Sequence, residues 1–251
     1  MTGIYLVMAL LGLSLGSFVG ACAYRIPRHI SIVAIPSACP ECKTRLTWRE
    51  KIPLLSFLVQ RGRCRNCFRP ISWGYPIVEL VSSIGTVWLF MGFGLTIGFL
   101  VHWVFFLLML LVCQIDSEFL IIPNTVLLCS LGMGIVFFAL CPSYSLPEAL
   151  LSSIISFAVL LSIRAVAGYL WGHECLGMGD VKLAGVLGFF LGLKLLLLTL
   201  WVGAVAGALY GLLRGREFRY SPLPFGSFLT VAAVPLYSWE QPVQRLISQW
   251  F

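Results

Sequence analysis

Asp116 and Asp180 are the only two aspartates in a chain of 251 residues. Asp116 closes one long apolar run, and Asp180 follows Gly177-Met178-Gly179 at the start of another. A carboxylate at the rim of hydrocarbon is costly to ionise, so a residue of this type in that setting marks function. Two carboxylates brought close cannot both ionise easily, and one of them keeps a proton near neutral pH. The ionised member can then activate water as a general base while the protonated member polarises a carbonyl, which is the chemistry of cutting a peptide bond. Gly177 and Gly179 carry no side chain and permit close approach of backbone or substrate. Lys182 either tunes the pair or contacts substrate, or else carries its ammonium toward lipid headgroups. The structural alternative is that Asp116 closes a turn and Asp180 caps the helix that starts at Val181.

The second constellation is made of thiols. Cys39-Pro40-Glu41-Cys42 and Cys64-Arg65-Asn66-Cys67 are two C-x2-C pairs. Each pair sets two thiolates on one tight turn, and two such turns complete a tetrahedral shell for zinc. The basic residues around them offset the negative charge of a four-thiolate centre. All four ligands are thiols and no position is left open for catalysis, so the expected metal role is structural. A redox reading of the same cysteines is the alternative. Cys22, Cys113, Cys129, Cys141 and Cys175 are scattered and read as small apolar residues.

The elements that must position these groups are membrane helices. The chain is 59% hydrophobic and 11% charged, with a mean hydropathy of +0.96, which excludes a soluble domain. Runs of about 20 apolar residues suffice to cross a bilayer as helix, and only helices leave no backbone group unpaired there. Such runs occupy Gly3–Ala23, Ile77–Phe93, Ile97–Ile115, Pro123–Cys141, Leu146–Leu170, Val181–Leu193, Leu195–Leu213 and Pro222–Trp239. The fold class expected is therefore an all-α polytopic membrane protein of about eight transmembrane helices. Residues 1–24 form the first transmembrane helix, 25–75 a cytoplasmic four-cysteine subdomain, and 76–251 a seven-helix membrane domain.

The net charge of +7 reflects topology. Ten of the 17 Lys and Arg fall between Arg25 and Arg69, and Arg214, Arg216 and Arg219 form a second group. Basic loops face the cytoplasm, so no nucleic-acid partner is expected, and anionic lipid is a secondary one. The first run has no positive charge before it and Arg25 and Arg28 after it, which favours an uncleaved helix over a signal peptide. Placing the 25–75 loop inside puts the Cys141–Leu146 turn outside and brings both aspartates to the inner face with the cysteines. Glu79 opens the second span, where helix-start electrostatics or function would explain it equally. His102 reads as a packed polar residue, His29 and His173 as interfacial, and Glu118 and Glu174 as solvated. Small residues at Gly185, Gly188, Gly203 and Gly207 suit close helix packing.

Gly177-Met178-Gly179-Asp180 resembles the GxGD signature of membrane-embedded aspartyl proteases. Gly16-Ser17-Phe18, Tyr24-Arg25-Ile26-Pro27, the two C-x2-C pairs, Ile52-Pro53-Leu54-Leu55-Ser56, Tyr75-Pro76-Ile77-Val78-Glu79 and Lys182-Leu183 narrow the resemblance to bacterial type IV prepilin peptidases. It runs from about Gly16 to about Gly226. The resemblance implies Asp116 and Asp180 as the catalytic pair and a basic leader cut from type IV prepilins or type II secretion pseudopilins. It implies action at the cytoplasmic face of the bacterial inner membrane. It also implies N-methylation of the new terminus with S-adenosylmethionine, for which the residues themselves offer no G-x-G-x-x-G turn. Gly20 stands where that family often has Asn, and Asn124 where it often has Asp. The competing reading is a non-enzymatic assembly factor or cation carrier, which should show paired half-repeats; none is visible.

Overall fold

The computed structural model describes residues 2–140, 145–172, 176–214 and 223–238. Cys141, His173, Glu174, Cys175, Arg216 and Arg219 lie outside them, as does most of the expected turn at Cys141–Leu146. The described residues are almost entirely helical: α1 (Thr2–Arg25), α2 (Leu55–Val59), α3 (Gly74–Phe93), α4 (Ile97–Phe119), α5 (Asn124–Leu140), α6 (Leu146–Trp171), α7 (Met178–Arg214) and α8 (Phe225–Ser238). Five are long and apolar enough to cross a bilayer: α1, α3, α4, α6 and α7. α7 runs for 37 residues but breaks at Gly192, whose φ of 68° and ψ of 172° are open to glycine and strained for any other residue. That break separates the two apolar runs expected on either side of Lys194. With the shorter α5 and α8, the described residues hold eight apolar helical segments, and the chain is a multi-pass membrane protein.

Packing divides the chain into two compact units, Met1–Ile115 and Asp116–Phe251. In the first, α1 lies along α3 with three glycines, Gly12, Gly16 and Gly20, spaced one per helical turn on the shared face. A Cβ at Gly12 would come within 2.7 Å of the Ser83 backbone, and one at Gly16 within 2.7 Å of the Glu79 backbone. Hydrophobic burial gives no drive between helices in lipid, and close backbone approach supplies van der Waals contact instead. The Ser83 hydroxyl donates to the Ala9 carbonyl across the same seam at 3.0 Å. Phe106 of α4 covers Gly85, and the Trp103 indole donates to the Thr86 hydroxyl at 2.8 Å. His102 is buried, stacks on Phe93 and sits 2.7 Å from the Gly98 carbonyl, which makes it a packed polar residue as expected.

In the second unit α7 is the centre, in contact with α5, α6 and α8. Its first half is almost completely buried from Val181 to Leu191. Gly188 meets Ser156 of α6, Gly203 meets Leu229 of α8, and Gly207 meets Leu223 and Phe228. Phe189 and Phe190 fill the space over Gly134 of α5 and join Phe138 and Tyr237 in an aromatic cluster. This packing fixes the start of α7 against the start of α8, where the aspartates lie.

Candidate active site

Asp116 and Asp180 both belong to the second unit. Asp116 lies within α4, one turn before its end at Phe119, where a turn was expected. The reversal comes later, at Leu120, which takes a φ of 57°. Asp180 is not the residue that caps α7 but sits in its first turn, since the helix begins at Met178. Its carboxylate reaches back to the Gly177 amide, the interaction of an acidic third residue with the helix cap. A capping contact is therefore present, and it leaves Asp180 aimed at the same place as Asp116.

That place is the start of α8. The Asp116 carboxylate accepts the Ser227 amide at 2.6 Å and the Ser227 hydroxyl at 2.9 Å, both on Oδ2. The Asp180 carboxylate accepts the Gly226 amide. Two consecutive amides thus take one aspartate each, and the two carboxylates are near enough for their charges to interact. Helix N-termini present unpaired N–H groups and the positive end of the helix dipole, so this end of α8 suits negative charge.

The glycines have distinct duties. A Cβ at Gly177 would stand 3.1 Å from Asp180 Oδ2. One at Gly179 would stand 3.1 Å from the Ile122 side chain, and one at Gly226 would meet Ile122 at 2.7 Å and Asp116 Oδ2 at 3.2 Å. Ile122 is thus wedged between the starts of α7 and α8, and both helices need glycine where it sits. Asp116, Asp180, Ile122, Asn124, Gly179 and Lys182 line one cavity of about 330 Å³. At its edge the Lys182 ammonium donates to the Asn124 side-chain carbonyl at 2.9 Å. Sequence reasoning misses Gly226 and Ser227 in this role; the available signal is a glycine near the start of the last apolar run, on the face assigned to the aspartates.

The four cysteines converge as expected. Their sulfurs all lie within 4.8 Å of one another, with Cys39 to Cys67 at 3.8 Å and Cys42 to Cys64 at 4.0 Å. A tetrahedron with Zn–S bonds of about 2.3 Å has edges of about 3.8 Å, so the cluster fits a metal such as zinc. The two turns repeat each other: Ala38 bridges Arg45 and Arg63 bridges Pro70, and the residue after each second cysteine, Lys43 or Phe68, takes a φ of 57°. Thr44 and Asn66 hold the Cys42 thiol down to about 6. At Cys67 the Arg69 amide lowers the value, but burial and the crowding of Cys64, Cys42 and Cys39 push it up to about 11. Four thiols in this space share little negative charge unaided, and a bound cation removes that conflict.

Glu79, undecided in the sequence, is buried and accepts the Leu54 amide at 2.7 Å and the Ser17 hydroxyl. Leu54 has a φ of 58° and ψ of −49°, and the Leu55 amide reaches the Pro53 carbonyl at 2.6 Å. This is the rare, strained γ-turn with positive φ. Glu79 therefore ties the four-cysteine subdomain to α3, and helix-start electrostatics do not account for it.

Residues 10–93 of the chain match the Bacterial Peptidase A24 N-terminal domain, and residues 103–212 match the Type IV leader peptidase family. A Prepilin leader peptidase/N-methyltransferase of Bacillus subtilis is 36% identical over 234 residues, 92% of each chain. The chain belongs to the type IV leader peptidase family. Proteins of the same printed name from Aeromonas hydrophila and Pseudomonas aeruginosa are 34% and 28% identical, covering 83% and 96% of this chain and 73% and 92% of their own. No solved structure matches the chain. In this family member the cysteine cluster falls within the first match, and both aspartates with Lys182 within the second. Gly226 and Ser227 lie beyond both matches.

Proposed function

We propose that this membrane protein is an aspartic endopeptidase that cuts the basic leader from type IV prepilins or type II secretion pseudopilins, with Asp116 and Asp180 as its catalytic pair. The observation that carries the assignment is the convergence of the chain's two aspartates on one cavity at the start of α8. A peptide bond entering that cavity meets both carboxylates. The ionised one takes a proton from water as the water attacks the scissile carbonyl, and the protonated one donates to the carbonyl oxygen. The first carboxyl then gives the water's proton to the leaving amine as the C–N bond breaks, a hydroxyl of the diol returns a proton to the second, and the pair is back in its starting state. Gly177 leaves room for the Asp180 carboxylate, and Gly179 and Gly226 leave room for the Ile122 side chain beside it. Lys182, held by Asn124, is placed to meet a polar group of the substrate.

The four cysteines hold zinc, with Cys39, Cys42, Cys64 and Cys67 as ligands and a structural role. Basic loops support a cytoplasmic location for the cysteine subdomain and for the catalytic face, in the bacterial inner membrane. The relatives' printed names support methylation of the new N-terminus from S-adenosylmethionine as a second activity. The test is mass spectrometry of a prepilin coexpressed with the chain. Loss of the leader is expected, and an added methyl group on the new terminus supports the second activity. An intact prepilin in the presence of folded, membrane-inserted chain would remove the peptidase assignment.

A further inference from the structure

We infer that the start of α8 is the third component of the catalytic centre, with Ser227 as the residue that positions Asp116. The inference rests on the peptidase reading and adds residues that lie beyond both family matches. Its warrant is geometric. A carboxylate on a helix can still change rotamer, and one anchored at a single point can swing about χ2. The two Ser227 donors bind the same oxygen of Asp116 from two directions, at 2.6 and 2.9 Å, and both residues are buried. That fixes Oδ2 and leaves Oδ1 as the atom able to meet water or the second aspartate. The Gly226 amide performs the matching task for Asp180. One rigid element therefore sets both carboxylates at once, and the separation of the two is written into the spacing of adjacent peptide units. The amide contacts survive any side-chain change, so Ser227 is the position at which the arrangement can be loosened without removing α8.

Among the described residues the facing charged groups are few. Asp180 and Lys182 come from α7, with the lysine engaged by Asn124. Ser227 is not among the residues that line the cavity and reaches it through Asp116, so it acts on the substrate by way of that carboxylate. Its removal should therefore change turnover and leave substrate affinity alone.

The test compares wild type, Ser227→Ala and Ser227→Thr, each as full-length chain in lipid nanodiscs with a prepilin substrate. Ser227→Ala should lower kcat by about ten- to a hundredfold, the usual penalty for loosening a reacting group, with KM within about twofold. Ser227→Thr keeps the hydroxyl and should recover most of the loss. A wild-type kcat in Ser227→Ala overturns the inference, and so does a change confined to KM, which would make Ser227 a substrate contact. Thermal unfolding of Ser227→Ala, Asp116→Asn and the double variant checks the contact without any activity. The two changes should be non-additive, and full additivity overturns the inference even if Ser227→Ala is slow. If the wild-type chain cuts nothing, the peptidase reading falls, while the unfolding cycle still decides whether Ser227 holds Asp116.

Discussion

The Glu79 carboxylate accepts the Leu54 amide at 2.7 Å and so joins a buried turn of α3 to a strained residue 25 positions earlier in the chain. Glu79→Ala strands that amide and the Ser17 hydroxyl in a buried place. The cost should be about 2 kcal/mol, or roughly 4–8 °C in Tm for a chain of this length. Glu79→Gln keeps an acceptor and should recover at least half of the loss. A thermal melt of the three purified proteins measures it. Equal Tm values for wild type and Glu79→Ala would mean that the contact contributes nothing.

The seam between α1 and α3 depends on glycine. At Gly16 a methyl group would meet backbone of Glu79, which cannot swing aside, whereas at Gly3 it would meet nothing within 4 Å. Gly16→Ala should destabilise the protein by about 1–3 kcal/mol, the range for an overfilled interface. Gly3→Ala should be neutral. The same melts separate them, and indistinguishable behaviour would disprove close packing at that seam.

The cysteine cluster predicts one zinc per chain. The double variant Cys39→Ser, Cys64→Ser should bind none by elemental analysis, and its 26–73 loop should become open to protease. Leader cleavage should fall less than metal content does, because none of these four cysteines lines the aspartate cavity. Thiols must lose protons to bind metal, so affinity should rise with pH and weaken on acidification. With Cys67 pushed up to about 11, zinc uptake near pH 7 should release protons to the buffer. Zinc affinity that does not change between pH 6 and pH 8 would contradict thiolate ligation.

Ile122 provides a check on the cavity floor. Gly226→Ala would bring a methyl group to 2.7 Å from the end of Ile122 and 3.2 Å from Asp116 Oδ2. Cleavage should drop about tenfold or more. Adding Ile122→Val removes the first conflict and not the second, so it should restore part of the rate. Full restoration would show that crowding by Ile122 alone was responsible.

Helix positions were legible because hydrocarbon imposes one rule on every span. The run beginning at Ile97, the pause near Lys194 and the start of the last helix all appear within a few residues of their expected places. The cysteine cluster was legible because C-x2-C spacing fixes local geometry. The cradle at Gly226 and Ser227 was not, since neither residue type advertises itself and 111 residues separate Ser227 from Asp116. The purpose of Gly179 was hidden for a related reason: the side chain it makes room for, Ile122, carries no chemical signal. Asp116 was expected in a turn because its apolar run ends there, but α4 continues for another turn through Ser117, Glu118 and Phe119 before Leu120 reverses the chain.

The central claim is that Asp116 and Asp180 act together on a peptide bond. Asp116→Asn and Asp180→Asn keep the shape of each side chain and remove its capacity to exchange a proton. Each variant should be assayed for leader removal in membranes, alongside a melt that shows it folded. Loss of cleavage by at least about a thousandfold in both folded variants is the predicted result, since neither half of an acid–base pair works alone. Full cleavage by either one would contradict the account.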